Sequence, residues 1–236
     1  MKFYESGDNR KPVIFLFPGT CCQYSSFDHV LDGLHSYFYT VAVSYDGFDS
    51  NEKTEFYSME DECEKIEQEI RTKYGGRIKA AYGCSLGGSF VSLLIQRKRI
   101  HIDYGIIGSS DMDEAGNLVA KIQASMVVPF MYKMIHTGAL PKFMQKKLNK
   151  TDGAKKELYN GFLNMFGIGK GGSPWITKQS IYNQFYSDLV TKVQHGIDVL
   201  GTTIHVFYAT KMGKKIRKEI LYLFQKSGHS KTQHAA

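Results

Sequence analysis

Residues 77–98 read RIKAAYGCSLGGSFVSLLIQRK, and no other stretch narrows the possible folds as much. RIKAAYGCS has the length and apolar content of a buried strand, and SLGGSFVSLLIQRK becomes helical in period from Ser85 onward. A chain that passes from strand to helix across one residue needs a cramped corner. Gly83 and Gly87 stand two residues to either side of the serine, and Gly88 follows. Glycine loses more backbone freedom on folding than any other residue, so this cluster implies a backbone that demands it.

The same alternation recurs along the chain. KPVIFLFPGT (11–20), YTVAVSYDGF (39–48), IDYGIIGSSD (102–111) and GTTIHVFYAT (201–210) are apolar runs bounded by turn residues. Each reads as a buried strand. SMEDECEKIEQEIRTK (58–73) opens on Ser58, a good N-cap, and places acids early and bases late, as the helix dipole favours. Buried strands alternating with helices predict an α/β fold of three layers, a mostly parallel sheet with helices on both faces. From 112 to 182 the alternation stops, and helical patterns such as MVVPFMYKMIHTGALPKFMQKKL follow one another without a strand. The expected organisation is therefore a core of 1–111 and 183–236, interrupted by a helical cap insert at 112–182. The tail SGHSKTQHAA carries no pattern and is expected to be unstructured.

Composition removes several classes of function. No apolar stretch approaches 18 residues, so no membrane span is expected. The N-terminus turns polar at once and lacks the apolar region of a secretory signal. The four cysteines, Cys21, Cys22, Cys63 and Cys84, have no regular spacing. They suggest free thiols in a reducing compartment, with the cytoplasm as the default location. No motif points to a metal, a cofactor or nucleic acid. Of the net charge of +7, the stretch 121–178 alone supplies ten lysines against two acids. A solvated face is the ordinary use of such lysines; attraction of an anionic substrate or surface is the functional one. The Phe, Met and Tyr residues of the insert either face the corner at Ser85 or, for most of them, form a core for the insert itself.

G-x-S-x-G between strand and helix is the nucleophile elbow, which lifts a serine hydroxyl to the carboxyl edge of a sheet. The amide of Leu86, at the helix start, can face a developing oxyanion there. On FLFPGT, GCSLGG, the strand order and the cap insert, the sequence resembles the α/β-hydrolase family over roughly residues 11–226. The resemblance implies a serine hydrolase that cleaves a carboxylic ester or related acyl compound through an acyl-enzyme. Its substrate would be a small molecule with an apolar or anionic acyl part. A second oxyanion donor is implied in FPGTCC, on the amide of Thr20 or Cys21. Cys84 lies one residue before the serine, where strand alternation turns it away from Ser85.

The resemblance also implies an orienting acid and a histidine base, in the chain order Ser, Asp/Glu, His. YATKMGKK, where the acid usually stands, holds no carboxylate; Asp111, at the end of the preceding strand, is the alternative, with capping or a turn as its structural use. Only His229 and His234 lie late enough for the base, and the tail leaves little room for a last strand. The rival reading is a non-catalytic relative that keeps the fold and binds a ligand or partner.

Overall fold

The computed structural model describes residues 1–110, 114–166, 171–194, 196–209 and 230–235. Its sheet has seven strands: β1 (Lys2–Ser6), β2 (Val13–Phe17), β3 (Tyr39–Ser44), β4 (Arg77–Cys84), β5 (His101–Gly108), β6 (Thr203–Ala209) and β7 (Ser230–Ala235). They lie in the order β1-β3-β2-β4-β5-β6-β7. β1 pairs antiparallel with β3, and every other pair is parallel.

The five expected strands are present, and both edges are additions to them. The described part of the tail is a strand, contrary to expectation: Ser230 pairs with Ile204, and the register continues to Ala235 opposite Ala209. An edge strand bonds on one side only and tolerates polar residues. SKTQHA therefore shows none of the apolar character that marks the central strands. β1 is similarly half exposed, with Phe3 meeting the Phe15 ring at 6.1 Å on one face and Tyr4 stacking on Tyr24 on the other.

Alternation along β2 sorts the core into two layers. Phe15 and Phe17 face the side covered by α2 (Met59–Tyr74) and α3 (Leu86–Arg97), with Ile66, Ile70, Phe90 and Leu94 packed among them. Ile14 and Leu16 face the side covered by α1 (Asp28–His35), where Leu31 and Leu34 close over them. α2 starts as expected, since Ser58 Oγ accepts the Asp61 amide hydrogen at 3.1 Å. It ends at Gly75, whose φ of 64° suits the left-handed cap.

Between β5 and β6 the chain is helical: α4 (Asn117–Thr137), α5 (Lys142–Asn149), α6 (Ala154–Met165) and α7 (Lys178–Val190). Met134 and Leu163 form a small separate core with Met131, Leu140, Met144 and Leu148. The expected border at 182 falls inside α7, which buries Ser180 and Ile181 before it and Gln184 and Ser187 after it.

Candidate active site

β4 ends at Cys84 and α3 begins at Leu86, so the whole change of direction falls on Ser85. Its φ of 54° and ψ of −125° are a conformation that side chains other than glycine rarely adopt. The glycines explain how the corner closes. A Cβ on Gly83 would stand 2.0 Å from the Gly87 carbonyl oxygen, and one on Gly87 would stand 2.1 Å from that of Phe17. The Ser85 amide donates to the Gly108 carbonyl at 2.9 Å, and its own carbonyl accepts from Gly88 at 2.8 Å. Ser85 is exposed, whereas Leu86 and the next turns of α3 are buried.

Among the described residues, four non-glycine residues have positive φ: Cys21, Ser85, Lys98 and Ser109. Lys98 caps the end of α3. The other three follow β2, β4 and β5 at the same edge of the sheet. Backbone strain of this kind costs roughly 1–3 kcal/mol per residue and gathers where function requires a fixed geometry.

The loop after β2 lies against the corner. The Cβ position of Gly19 is 3.6 Å from Ser85 Cβ and 3.3 Å from the Cys84 carbonyl oxygen. Tyr45 donates its hydroxyl to the Pro18 carbonyl at 3.2 Å, and the Cys22 amide donates to the Gly19 carbonyl at 3.0 Å. The Cys21 amide hydrogen goes to buried Gln184 Oε1 at 2.7 Å. This corrects the expectation that Cys21 is open as an oxyanion donor, because nothing near FPGTCC reveals an acceptor on α7. Thr20 and Leu86 remain, the latter as the first residue of a helix, whose amide has no intrahelical acceptor.

Gln184 belongs to a polar stripe that sequence reasoning missed. Ser180, Gln184 and Ser187 share one face of α7 and are all buried. Each accepts a backbone amide hydrogen from the core: Phe56 to Ser180 Oγ at 3.3 Å, Cys21 to Gln184, and Met59 to Ser187 Oγ at 2.7 Å. Polar residues spaced 180, 184, 187 were the available signal.

No protein-family model and no curated protein sequence matches the chain. Solved structures do. A Desulfitobacterium hafniense protein ascribed to the alpha/beta hydrolase family superposes with a TM-score of 0.74 at 14% identity, covering 99% of this chain and 90% of its own. A thermophilic esterase from Thermogutta terrifontis gives 0.72 at 13%, with 99% and 84% covered. A hydrolase from Pseudomonas aeruginosa PA01 gives 0.69 at 12%, again with 99% and 84% covered. The chain has the α/β-hydrolase fold.

Within that fold, parallel register fixes what lies level with Ser85. Cys84 pairs with Gly108, Gly108 with Phe207, and Phe207 with Gln233. The next residue of β7, His234, pairs with Tyr208 at the same carboxyl edge as Ser85. His229 and Asp111 lie outside the described residues. Just before Asp111, Ser109 donates its amide hydrogen to the Phe207 carbonyl at 2.8 Å, and buried Ser110 Oγ sits 3.3 Å from Ser89 Oγ. His35 is engaged by Ser6 and Thr40, and His101 lies 3.3 Å from Asp103.

The cysteines beside the corner are poor nucleophiles. Burial pushes the Cys22 thiol up to about 12 and Cys21 well above its ordinary value. Cys84 is also raised by burial, although hydrogen bonds from Tyr82 and the Ser85 amide pull the other way. Only the thiolate is nucleophilic, so Ser85 is the reactive candidate. On the face of the sheet covered by α1, a cavity of about 450 Å³ extends from Gly19 and Cys84 past Leu16 and Tyr82 to Ile14, Leu34 and Phe38; Ser85 is not part of its wall.

Proposed function

We propose that this protein is a serine hydrolase that cleaves a carboxylic ester or a related acyl compound. Ser85 Oγ attacks the acyl carbon while a histidine takes its proton, and the Thr20 and Leu86 amides stabilise the oxyanion. The protonated histidine then delivers its proton to the leaving alkoxide, and water repeats the sequence to release the acid. Asp111 would orient the histidine. The reading rests above all on Ser85, an exposed hydroxyl held at φ 54° between Gly83 and Gly87. Similarity to esterases and hydrolases supports the class.

Register favours His234 over His229 as the base. β7 opens with Ser230 opposite Ile204, near the amino edge, while His234 stands at the edge that carries Ser85. A fluorophosphonate probe should label the protein at Ser85 and lose the label in Ser85→Ala. Folded protein that never labels overturns the reading. p-Nitrophenyl acetate turnover should collapse in His234→Ala and persist in His229→Ala.

One observation favours a second reading. β5 and β6 separate β4 from β7, so a base carried on β7 must cross three strand spacings, about 14 Å, to meet Ser85. A fold that keeps the corner but not that contact would bind a ligand or partner without turning it over. Absence of turnover in wild type and both histidine variants, with an ester still protecting the protein against thermal unfolding, is the result this alternative expects.

A further inference from the structure

α4 presents two unlike apolar faces. Ala120, Ala124, Val128 and Ile135 are buried on the side packed with α7. On the opposite side Leu118, Ile122 and Met126 are 73%, 53% and 75% exposed, at successive i, i+4 positions. Val119 and Val127 widen the row at 50% and 40%. A helix apolar all round is normally buried, yet only 28% of the most apolar window of α4 is. Among the described residues it is also the one helix with the length and hydropathy of a membrane span. Single exposed leucines need no explanation, whereas a continuous row marks an interaction surface.

The charge around this row identifies the occupant. Lys121, Lys133, Lys142, Lys146 and Lys150 are all exposed. Among the described residues none of them has an acidic partner. Several cations of the sheet core are paired, Lys65 with Asp46, Arg97 with Glu67, and Arg77 and Lys79 with Asp103. Met144 and Leu148 seat α5 against the Met134 end of α4, which places the α5 lysines beyond the C-terminal end of the apolar row, while Lys121 lies within it. An exposed apolar stripe bordered by unpaired lysines is how interfacial helices bind acidic headgroups.

We propose that the exposed face of α4, with the lysines of α4 and α5, docks this protein on an anionic phospholipid surface. A second copy is a poor occupant, because a two-fold contact would bring the same lysines together. Docking fits better than spanning, since α7 keeps one face of α4 packed and Lys121 and Lys133 lie within the helix. The inference stands apart from the chemistry at Ser85.

Vesicle co-sedimentation of the full chain tests it. Binding to phosphatidylcholine–phosphatidylglycerol vesicles should exceed binding to phosphatidylcholine alone by about tenfold or more and should fall in high salt. Ile122→Asp with Met126→Asp, and separately Lys142→Glu with Lys146→Glu, should abolish binding while the melting temperature stays within a few degrees. The proposal is overturned by no binding, by equal binding to both vesicles, or by binding that survives either double variant. It is also overturned by carbonate-resistant insertion, which indicates a span, or by an α4-dependent dimer in light scattering without vesicle binding.

Discussion

Gln184 Oε1 accepts the amide hydrogen of Cys21 at 2.7 Å, joining α7 to the loop beside Ser85 across 163 residues of chain. Cys21 holds a positive φ of 59° there, and the contact is buried. Among the described residues, Gln184 Nε2 is buried without a partner. The side chain thus satisfies one polar group while leaving one of its own unsatisfied, a pattern that fits holding a loop in place better than stabilising the fold.

Gln184→Leu exchanges one orphan for another, since Nε2 disappears and the Cys21 N–H loses its acceptor. Global stability should therefore change by less than about 1 kcal/mol. Displacement of the Thr20 amide by a fraction of an ångström should nevertheless slow fluorophosphonate labelling of Ser85 about tenfold to a hundredfold. Urea unfolding and labelling rates, measured on one preparation, check both. Unchanged labelling would mean that Gln184 does not set the loop.

The strain at Ser85 can be measured directly. Glycine adopts φ 54°, ψ −125° at little cost, so Ser85→Gly should raise the unfolding free energy by roughly 1–3 kcal/mol. Ser85→Ala keeps the Cβ and the strain and should leave stability within about 0.5 kcal/mol of wild type. Both should abolish probe labelling. If the two unfold alike in urea, the corner stores no strain.

How far the sequence reveals this arrangement depends on how local each cause is. The corner at Ser85 is legible because its glycines and the flanking apolar runs lie within a dozen residues. α2 is legible because its cap and charge order are local as well. β7 is not, because an edge strand made of SKTQHA takes its register from β6 and not from any periodicity of its own. The commitment of the Cys21 amide is hidden for a similar reason, as its acceptor comes from a distant helix. The α4 row could be read as an apolar helix, but which of its faces remains uncovered is decided only by α7.

Glycine substitutions should separate tight positions from open ones. Gly83→Ala and Gly87→Ala each drive a methyl group into backbone oxygen at 2.0 and 2.1 Å and should cost at least about 3 kcal/mol or prevent folding. Gly33 lies inside α1 with nothing within 4 Å of its Cβ position. Gly33→Ala should stabilise by up to about 1 kcal/mol through helix propensity alone. Thermal melts of the three variants decide the point, and a mild Gly87→Ala would mean that the Phe17 carbonyl can yield.

Glu62 should give the protein a pH dependence of unusual sign for a carboxylate. It is fully buried on α2. Burial, with the nearby Asp46 charge, pushes its carboxyl up to about 7, against partial relief from Lys65 and the Asp46 amide. The folded state then holds a proton that the unfolded chain releases near the ordinary value of 4.5. Stability from this group therefore falls as pH rises from about 4.5 to 7 and is level outside that window. Paired carboxylates such as Asp103 are held below their usual range and slope the other way, so the useful quantity is a difference between variants. Glu62→Gln keeps an oxygen to accept the Asp46 amide hydrogen, which now reaches Glu62 Oε2 at 3.0 Å. Relative to wild type it should gain about 1–3 kcal/mol between pH 4.5 and 7.5 and nothing further above that. Denaturant midpoints of both proteins across this range test the prediction, and a constant offset between the curves would show that Glu62 stays ionised throughout.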